Sequence, residues 1–290
     1  AQGHDIEPVI EIFAEALHLD VAIPAAEAGC VILLEKPISD SLDRLDTLQQ
    51  AAQKSGSKIL VGFQFRYHPT LNKARELVQA DAIGKVLTVH AHWGEYLPQW
   101  HPWEDYRQSY AARADLGGGV IRTLTHPLDY LRYLIGEVES LWSFNGHISP
   151  LELDVEDVAE IGLKFSNGAI GGVHLNYVQR PPRHTLEIVG TQGTLRWDNA
   201  DSVLHHYKFP APFASYSDTP PAPVIETFSP PDGFERNQLF VSQTRHFIET
   251  AQGESEPVCT LEDGIMALRL ALAAYTSQST GKSIKVLEMI

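Results

Sequence analysis

Val31-Ile32-Leu33-Leu34-Glu35-Lys36-Pro37 is the stretch on which the reading of this chain turns. Four branched apolar residues in a row, with no polar alternation, read as a strand buried on both faces of a parallel sheet. The run stops abruptly at a carboxylate, an amine and a proline. In an open α/β sheet, ligands collect just beyond the carboxyl ends of the strands, so Glu35 and Lys36 stand where chemistry is done. Lys-Pro after a strand equally suits an ordinary turn, and the surroundings have to decide.

Upstream, Leu17, Val21, Ala25 and Ala28 predict a helix within residues 14–30 that Gly29 terminates. Downstream, Ser39-Asp40-Ser41 offers side-chain oxygens to cap a helix whose stripe is Leu42, Leu45, Leu48 and Ala52. A second buried strand follows at 58–63, so strand, helix and strand with short links predict a βαβ unit. After Gly84 the pattern changes. Val86, Thr88, His90 and His92 alternate with Leu87, Val89, Ala91 and Trp93, as in a strand with one face on a core. Further strands are expected at 140–146, 158–165, 169–177, 184–190 and 194–198, with hairpin turns at Ser166-Asn167-Gly168 and Thr191-Gln192-Gly193. Residues 210–231 read as a long surface loop, and helices at 238–251 and 261–279 close the chain. The expected fold class is α/β plus α+β: a parallel sheet followed by a mainly antiparallel open sheet.

Composition narrows the function. The 290 residues carry 22 Lys and Arg against 37 Asp and Glu, a net charge of -15 with no basic block, which speaks against nucleic-acid binding. No apolar run approaches the roughly 20 residues that cross a bilayer. Cys30 and Cys259 lie far apart without ligand spacing, which favours a reducing, cytoplasmic setting. His90, His92, His205 and His206 lack a carboxylate or thiolate at ligand spacing, so no metal is expected.

A second constellation is Gly117-Gly118-Gly119-Val120-Ile121-Arg122-Thr123-Leu124-Thr125-His126-Pro127-Leu128-Asp129. Three glycines allow close backbone approach at the mouth of a helix expected over 120–135. On that helix Arg122, His126, Asp129 and Tyr133 share one face. His126 suits proton transfer near neutrality, and Asp129 could accept from its second ring nitrogen and fix the tautomer. The plainer reading makes His126 a helix-lining residue and Asp129 a solvated one.

Together with Gly62-Phe63-Gln64-Phe65-Arg66-Tyr67-His68-Pro69 and Ile83-Gly84-Lys85-Val86, these segments resemble the glucose-fructose oxidoreductase and inositol dehydrogenase (Gfo/Idh/MocA) family, in the right order from about Leu17 onward. The resemblance implies an NAD- or NADP-dependent dehydrogenase or reductase acting on a sugar, cyclitol or sugar derivative. It implies a partial Rossmann sheet over residues 1–82 and a substrate-binding and oligomerisation domain over 83–290, in a homodimer or homotetramer. It also implies that Lys36, in a cis peptide with Pro37, and His126 handle the reacting hydroxyl. His18, Glu35, Lys36, Pro37 and Gln64 would meet the cofactor; Arg66, Asp129, Arg122, Trp100 and Tyr106 would face the substrate.

Two departures qualify the match. Where many members carry an aspartate four residues before the histidine, this chain has Arg122. An arginine cannot act as a base but can clamp a carboxylate or phosphate, which would make the substrate anionic; the alternative is a structural arginine paired with Asp129 or Asp115. No G-x-G-x-x-G turn is present, so the chain is expected to lack the first half of the nucleotide domain, and Glu11 sits oddly in a buried strand. A noncatalytic sugar-sensing protein of the same fold is the competing reading. Trp100 and Tyr106, in an aromatic-rich segment, suit a sugar face or plain packing.

Overall fold

The structure, a computed structural model, describes residues 8–11, 17–209 and 222–289. Strand β1 (Pro8–Glu11), helix α1 (His18–Glu27), β2 (Val31–Leu34), α2 (Leu45–Ser55) and β3 (Ile59–Val61) build a parallel sheet in the order β1-β2-β3. The register sets Ile32 beside Ile59, Leu33 beside Leu60 and Leu34 beside Val61. Helix α3 (Pro69–Gln79) leads into β4 (Val86–Tyr96). Helices α4 (Val120–Thr123) and α5 (His126–Ile135) precede β5 (Val138–Gly146), β6 (Val158–Phe165), β7 (Ile170–Asn176), β8 (Val178–Gly190), β9 (Gly193–Asp198), β10 (Val203–Lys208) and β11 (Val224–Phe228). Helices α6 (Asn237–Ala251) and α7 (Leu261–Thr280) and the short β12 (Ile284–Lys285) follow. The second sheet has nine strands in the order β11-β10-β9-β8-β4-β7-β6-β5-β12, antiparallel throughout except where β4 meets β7.

Every residue of β2 is buried, as its unbroken apolar run requires. Ile32 and Leu34 pack toward α1, α2 and the first turns of α7, while Val31 and Leu33 pack on Phe247 of α6. The C-terminal helices therefore complete the first sheet from far along the chain, and Val61 N donates to Cys259 O at 3.0 Å along the edge of β3. In the larger sheet one face is dry. Val89, Ala91, Trp93, Ile161, Val173 and Leu186 meet α3, α4, α5 and the rest of α7 in one core. Trp142 and Phe144 stay exposed on the other strand face. Among the described residues no helix is long and apolar enough to cross a membrane.

Several expectations need correction. Strands β10 and β11 pair antiparallel, so residues 224–228 belong to the sheet rather than to a loop; the rest of that excursion, 210–221, lies outside the described residues. Ser39 and Ser41 do not cap α2: their hydroxyls accept from Ser41 N and Asp43 N, and Arg44, at φ 64°, stands at the helix start. Helix α3 carries no signal that the sequence reading used.

The single helix expected over 120–135 is two. Leu124 leaves helical geometry at φ -98°, ψ 39°, and α5 begins two residues later. Pro127 explains the break, since a proline has no N–H to give the carbonyl four residues back and its ring crowds that carbonyl. That carbonyl is Thr123 O.

Candidate active site

The carbonyl that Pro127 cannot serve is taken by Lys36. Its ammonium, at the carboxyl end of β2, donates to Thr123 O at 3.0 Å. This contact joins segments 87 residues apart and brings the amine to the start of α5, where His126 lies buried. Lys36-Pro37 is a cis peptide. The His126 ring is walled by Phe63 at 5.8 Å, Phe65 at 5.0 Å and, stacked face to face, Trp93 at 5.3 Å. Its Nδ1 is buried and makes no hydrogen bond among the described residues. Burial, then the positive charge of Lys36, then Arg236 and His184 push the imidazole pKa well below its ordinary value. His126 is therefore neutral at physiological pH, and able to accept a proton.

On the side of the parallel sheet, Glu35 follows β2 and accepts from Lys36 N at 3.3 Å. A methyl group on Gly62 would lie 2.8 Å from Glu35 Oε2, so the bare glycine is what leaves room for this carboxylate. His18 opens α1 and is buried, and Gln64 is buried in the 3-10 turn directly after β3. A carboxylate at a strand's carboxyl end, given room by a glycine at the end of the neighbouring strand, fits the ribose end of a nicotinamide nucleotide.

Asp129 does not orient His126. It is 1% exposed and receives Arg66 Nε at 3.1 and 3.0 Å and Arg66 Nη2 at 2.6 Å. Arg66 Nη1 also donates to Val258 O at 2.9 Å and Asp263 Oδ2 at 3.0 Å. Expected at the substrate, these two residues are instead spent on each other in the interior, because a buried carboxylate needs a charged partner more than a neutral imidazole. Arg122 also has different partners from those expected. Asp115 is held by Arg113 and Asp129 by Arg66, while Arg122 Nη2 donates to Asp40 O at 3.2 Å.

Trp100 meets Tyr177 edge-on at 5.6 Å, and the Tyr106 hydroxyl accepts from Glu152 N at 3.1 Å. Both rings pack on the main core, as the packing alternative expected. The sequence reading missed a group beside His126. Trp93 stacks on His184 at 4.0 Å; His184 Nε2 lies 2.8 Å from Glu95 Oε1, which also accepts from Trp93 Nε1 at 3.0 Å. Burial raises the Glu95 pKa, but His184, Trp93 and the charge of Arg236 outweigh it and keep the carboxylate below its usual range. A signal existed: Glu95 continues the inward row Val89, Ala91, Trp93, where a carboxylate has no structural reason to be.

Two family models match the chain. "Oxidoreductase family, NAD-binding Rossmann fold" covers residues 3–63, and "GFO/IDH/MocA C-terminal domain" covers 71–196. The chain belongs to the Gfo/Idh/MocA oxidoreductase family. Among curated Gfo/Idh/MocA relatives, scyllo-inositol 2-dehydrogenase (NAD(+)) of Bacillus subtilis is 26% identical over 97% of this chain and 78% of its own. Levoglucosan dehydrogenase of Pseudarthrobacter phenanthrenivorans is 28% identical over 62% of this chain, and the match spans about half, 52%, of that protein. A solved levoglucosan dehydrogenase complexed with NADH and levoglucosan has the same fold, with a TM-score of 0.85 and 21% identity over 98% of this chain and 81% of that one.

Proposed function

We propose that this Gfo/Idh/MocA protein is an NAD(P)-dependent oxidoreductase that moves a hydride between nicotinamide and a carbinol carbon of a sugar, cyclitol or anionic sugar derivative. The observation that carries the reading is the convergence of the Lys36 ammonium and the neutral His126 imidazole at the break between α4 and α5. The names of relatives at 26–28% identity, dehydrogenases of inositol and levoglucosan, support it. Bound nicotinamide would supply the hydride acceptor at its C4. Residues His18, Glu35, Lys36, Pro37 and Gln64 would hold its ribose end, within a nucleotide-binding unit reaching to about residue 82, with the rest of the chain shaping the substrate side.

In this reading the substrate hydroxyl lies between Lys36 and His126. Lys36 donates to the hydroxyl oxygen, which favours the developing alkoxide. His126 takes the proton; burial and the charge of Lys36 oppose its protonation beforehand, and so keep it neutral and ready to accept. Phe63, Phe65 and Trp93 exclude water around the imidazole. Glu95 and His184, one indole away, are placed to receive other hydroxyls. An anionic substituent would find its cation in Arg236, which is exposed and whose charge reaches His126. Self-association through the open sheet face, where Trp142 and Phe144 are exposed, is part of the same proposal.

The test is a panel of neutral cyclitols, anhydrosugars, uronates and nucleotide sugars deuterated at the carbinol carbon, each incubated with NAD and NADP. Deuterium appearing at nicotinamide C4 is the expected result for one class. Saturable binding of a sugar with no transfer to either cofactor would favour the noncatalytic reading.

A further inference from the structure

Resting on the dehydrogenase reading, we infer that Arg122 is a positioning residue that fixes the Lys36 loop against α4, rather than a contact to substrate. The loop meets α4 at two points. Lys36 donates to Thr123 O at 3.0 Å, and four residues later Asp40 O accepts from Arg122 Nη2 at 3.2 Å. The two contacts run in opposite directions between neighbouring residues of α4 and the two ends of a five-residue loop. Ile38, fully buried in the core beside the parallel sheet, anchors the middle of the loop, and the two contacts fix its ends.

The seat of Arg122 is itself built. The guanidinium lies 5.4 Å from the centre of the Tyr275 ring, on α7. The Tyr275 hydroxyl donates to Glu156 Oε1 at 2.7 Å, and that oxygen also accepts from Ile121 N at 3.1 Å. Val120 N donates to the Glu156 main-chain carbonyl at 3.1 Å. Gly119, at φ 115°, leaves the space that Glu156 fills, since a Cβ there would stand 2.5 Å from its carboxylate. The circuit runs from the loop through Arg122, Tyr275 and Glu156 to the start of α4, and through Thr123 back to Lys36. A planar guanidinium can stack and donate at once, which a lysine does less well.

Charge argues against an anion clamp. The cavity that Arg122 lines, about 1030 Å³, also presents Asp40, Asp43, Asp154 and Glu156. Four carboxylates around one guanidinium repel a carboxylate or phosphate.

The His126 imidazole reports where Lys36 is. It feels Lys36 from the loop after β2, Arg236 from the residue before α6, and His184 from β8, which is paired with Glu95 of β4. Withdrawing Lys36 removes a positive neighbour and raises the His126 pKa, while burial keeps it below its ordinary value. The experiment is an NMR titration of the His126 ring in the full chain for wild type, Lys36→Met, Arg122→Met, Arg122→Lys and the Lys36→Met/Arg122→Met pair. Met at 122 keeps an apolar stem over Tyr275.

Lys36→Met should raise the His126 pKa, Arg122→Met should raise it part of the way, and Arg122→Lys should lie nearer wild type. In the Lys36→Met background Arg122→Met should add nothing, because its effect runs through Lys36. An unchanged titration in Arg122→Met, or an equal further rise in the Lys36→Met background, would overturn the proposal. The titration needs no turnover, so failure of the dehydrogenase reading is seen separately in the deuterium assay. Where turnover is measured, Arg122→Met should lower kcat roughly tenfold to a hundredfold with KM near wild type. A large rise in KM with kcat unchanged would make Arg122 a substrate contact.

Discussion

Pro127 shows how one residue can shape a site without touching its chemistry. By withholding an N–H it ends α4, turns His126 into the opening residue of α5, and leaves the Thr123 carbonyl for Lys36. The chemistry-bearing types were legible: a buried run ending in Glu35-Lys36-Pro37 and a histidine behind three glycines. Their true partners were not. Asp129 sits three residues from His126 in sequence, yet Arg66, 63 residues away, takes it, because burial of charge is settled by the folded interior and not by helical spacing. Gly62 gives a test at this scale. In Gly62→Ala the new methyl lies 2.8 Å from Glu35 Oε2 and must displace that carboxylate. The Kd for NAD should rise several-fold in titration calorimetry while the melting temperature moves little; unchanged affinity would remove Glu35 from the nucleotide site.

Among elements, strongly periodic ones were readable and those set by pairing were not. The 261–279 stripe appears as α7, and the alternation in β4 correctly puts Val89, Ala91 and Trp93 inside. Strands β10 and β11 have two-residue periodicity too, but Val224 and Ile225 are exposed in an edge strand, so burial leaves little pattern to read. Helix ends depended on competition: the seryl oxygens near α2 serve their own turn. The elements around the site are tied by Arg66, which joins the turn after β3 to Asp129 on α5 and Asp263 on α7. Asp129→Asn would leave that guanidinium buried without its main counter-charge, at a cost of about 3–5 kcal/mol in denaturant unfolding. Asp115→Asn, which breaks an ion pair at the surface, should change stability little by comparison. Equal effects would mean that the interior pair is not what holds α5 in place.

Across the whole molecule, the two-sheet architecture followed from the change of pattern at Gly84, but the return of the C-terminus did not. Helices α6 and α7 cover the parallel sheet although they belong, in sequence, to the second half; apolar stripes show that a helix packs and not what it packs on. This return matters for function, since α7 carries Tyr275 behind Arg122 and Asp263 beside Arg66. The central claim is that Lys36 and His126, about 90 residues apart in the sequence, act on one hydroxyl. The most direct measurement is a double-mutant cycle on the single-turnover rate of hydride transfer, using Lys36→Met, His126→Gln and the pair. Residues acting as a unit are strongly non-additive, so each single change should cost about a hundredfold to ten-thousandfold and the pair little more than the worse single. Costs that multiply in the pair would mean that the two groups act independently of each other and would contradict the account.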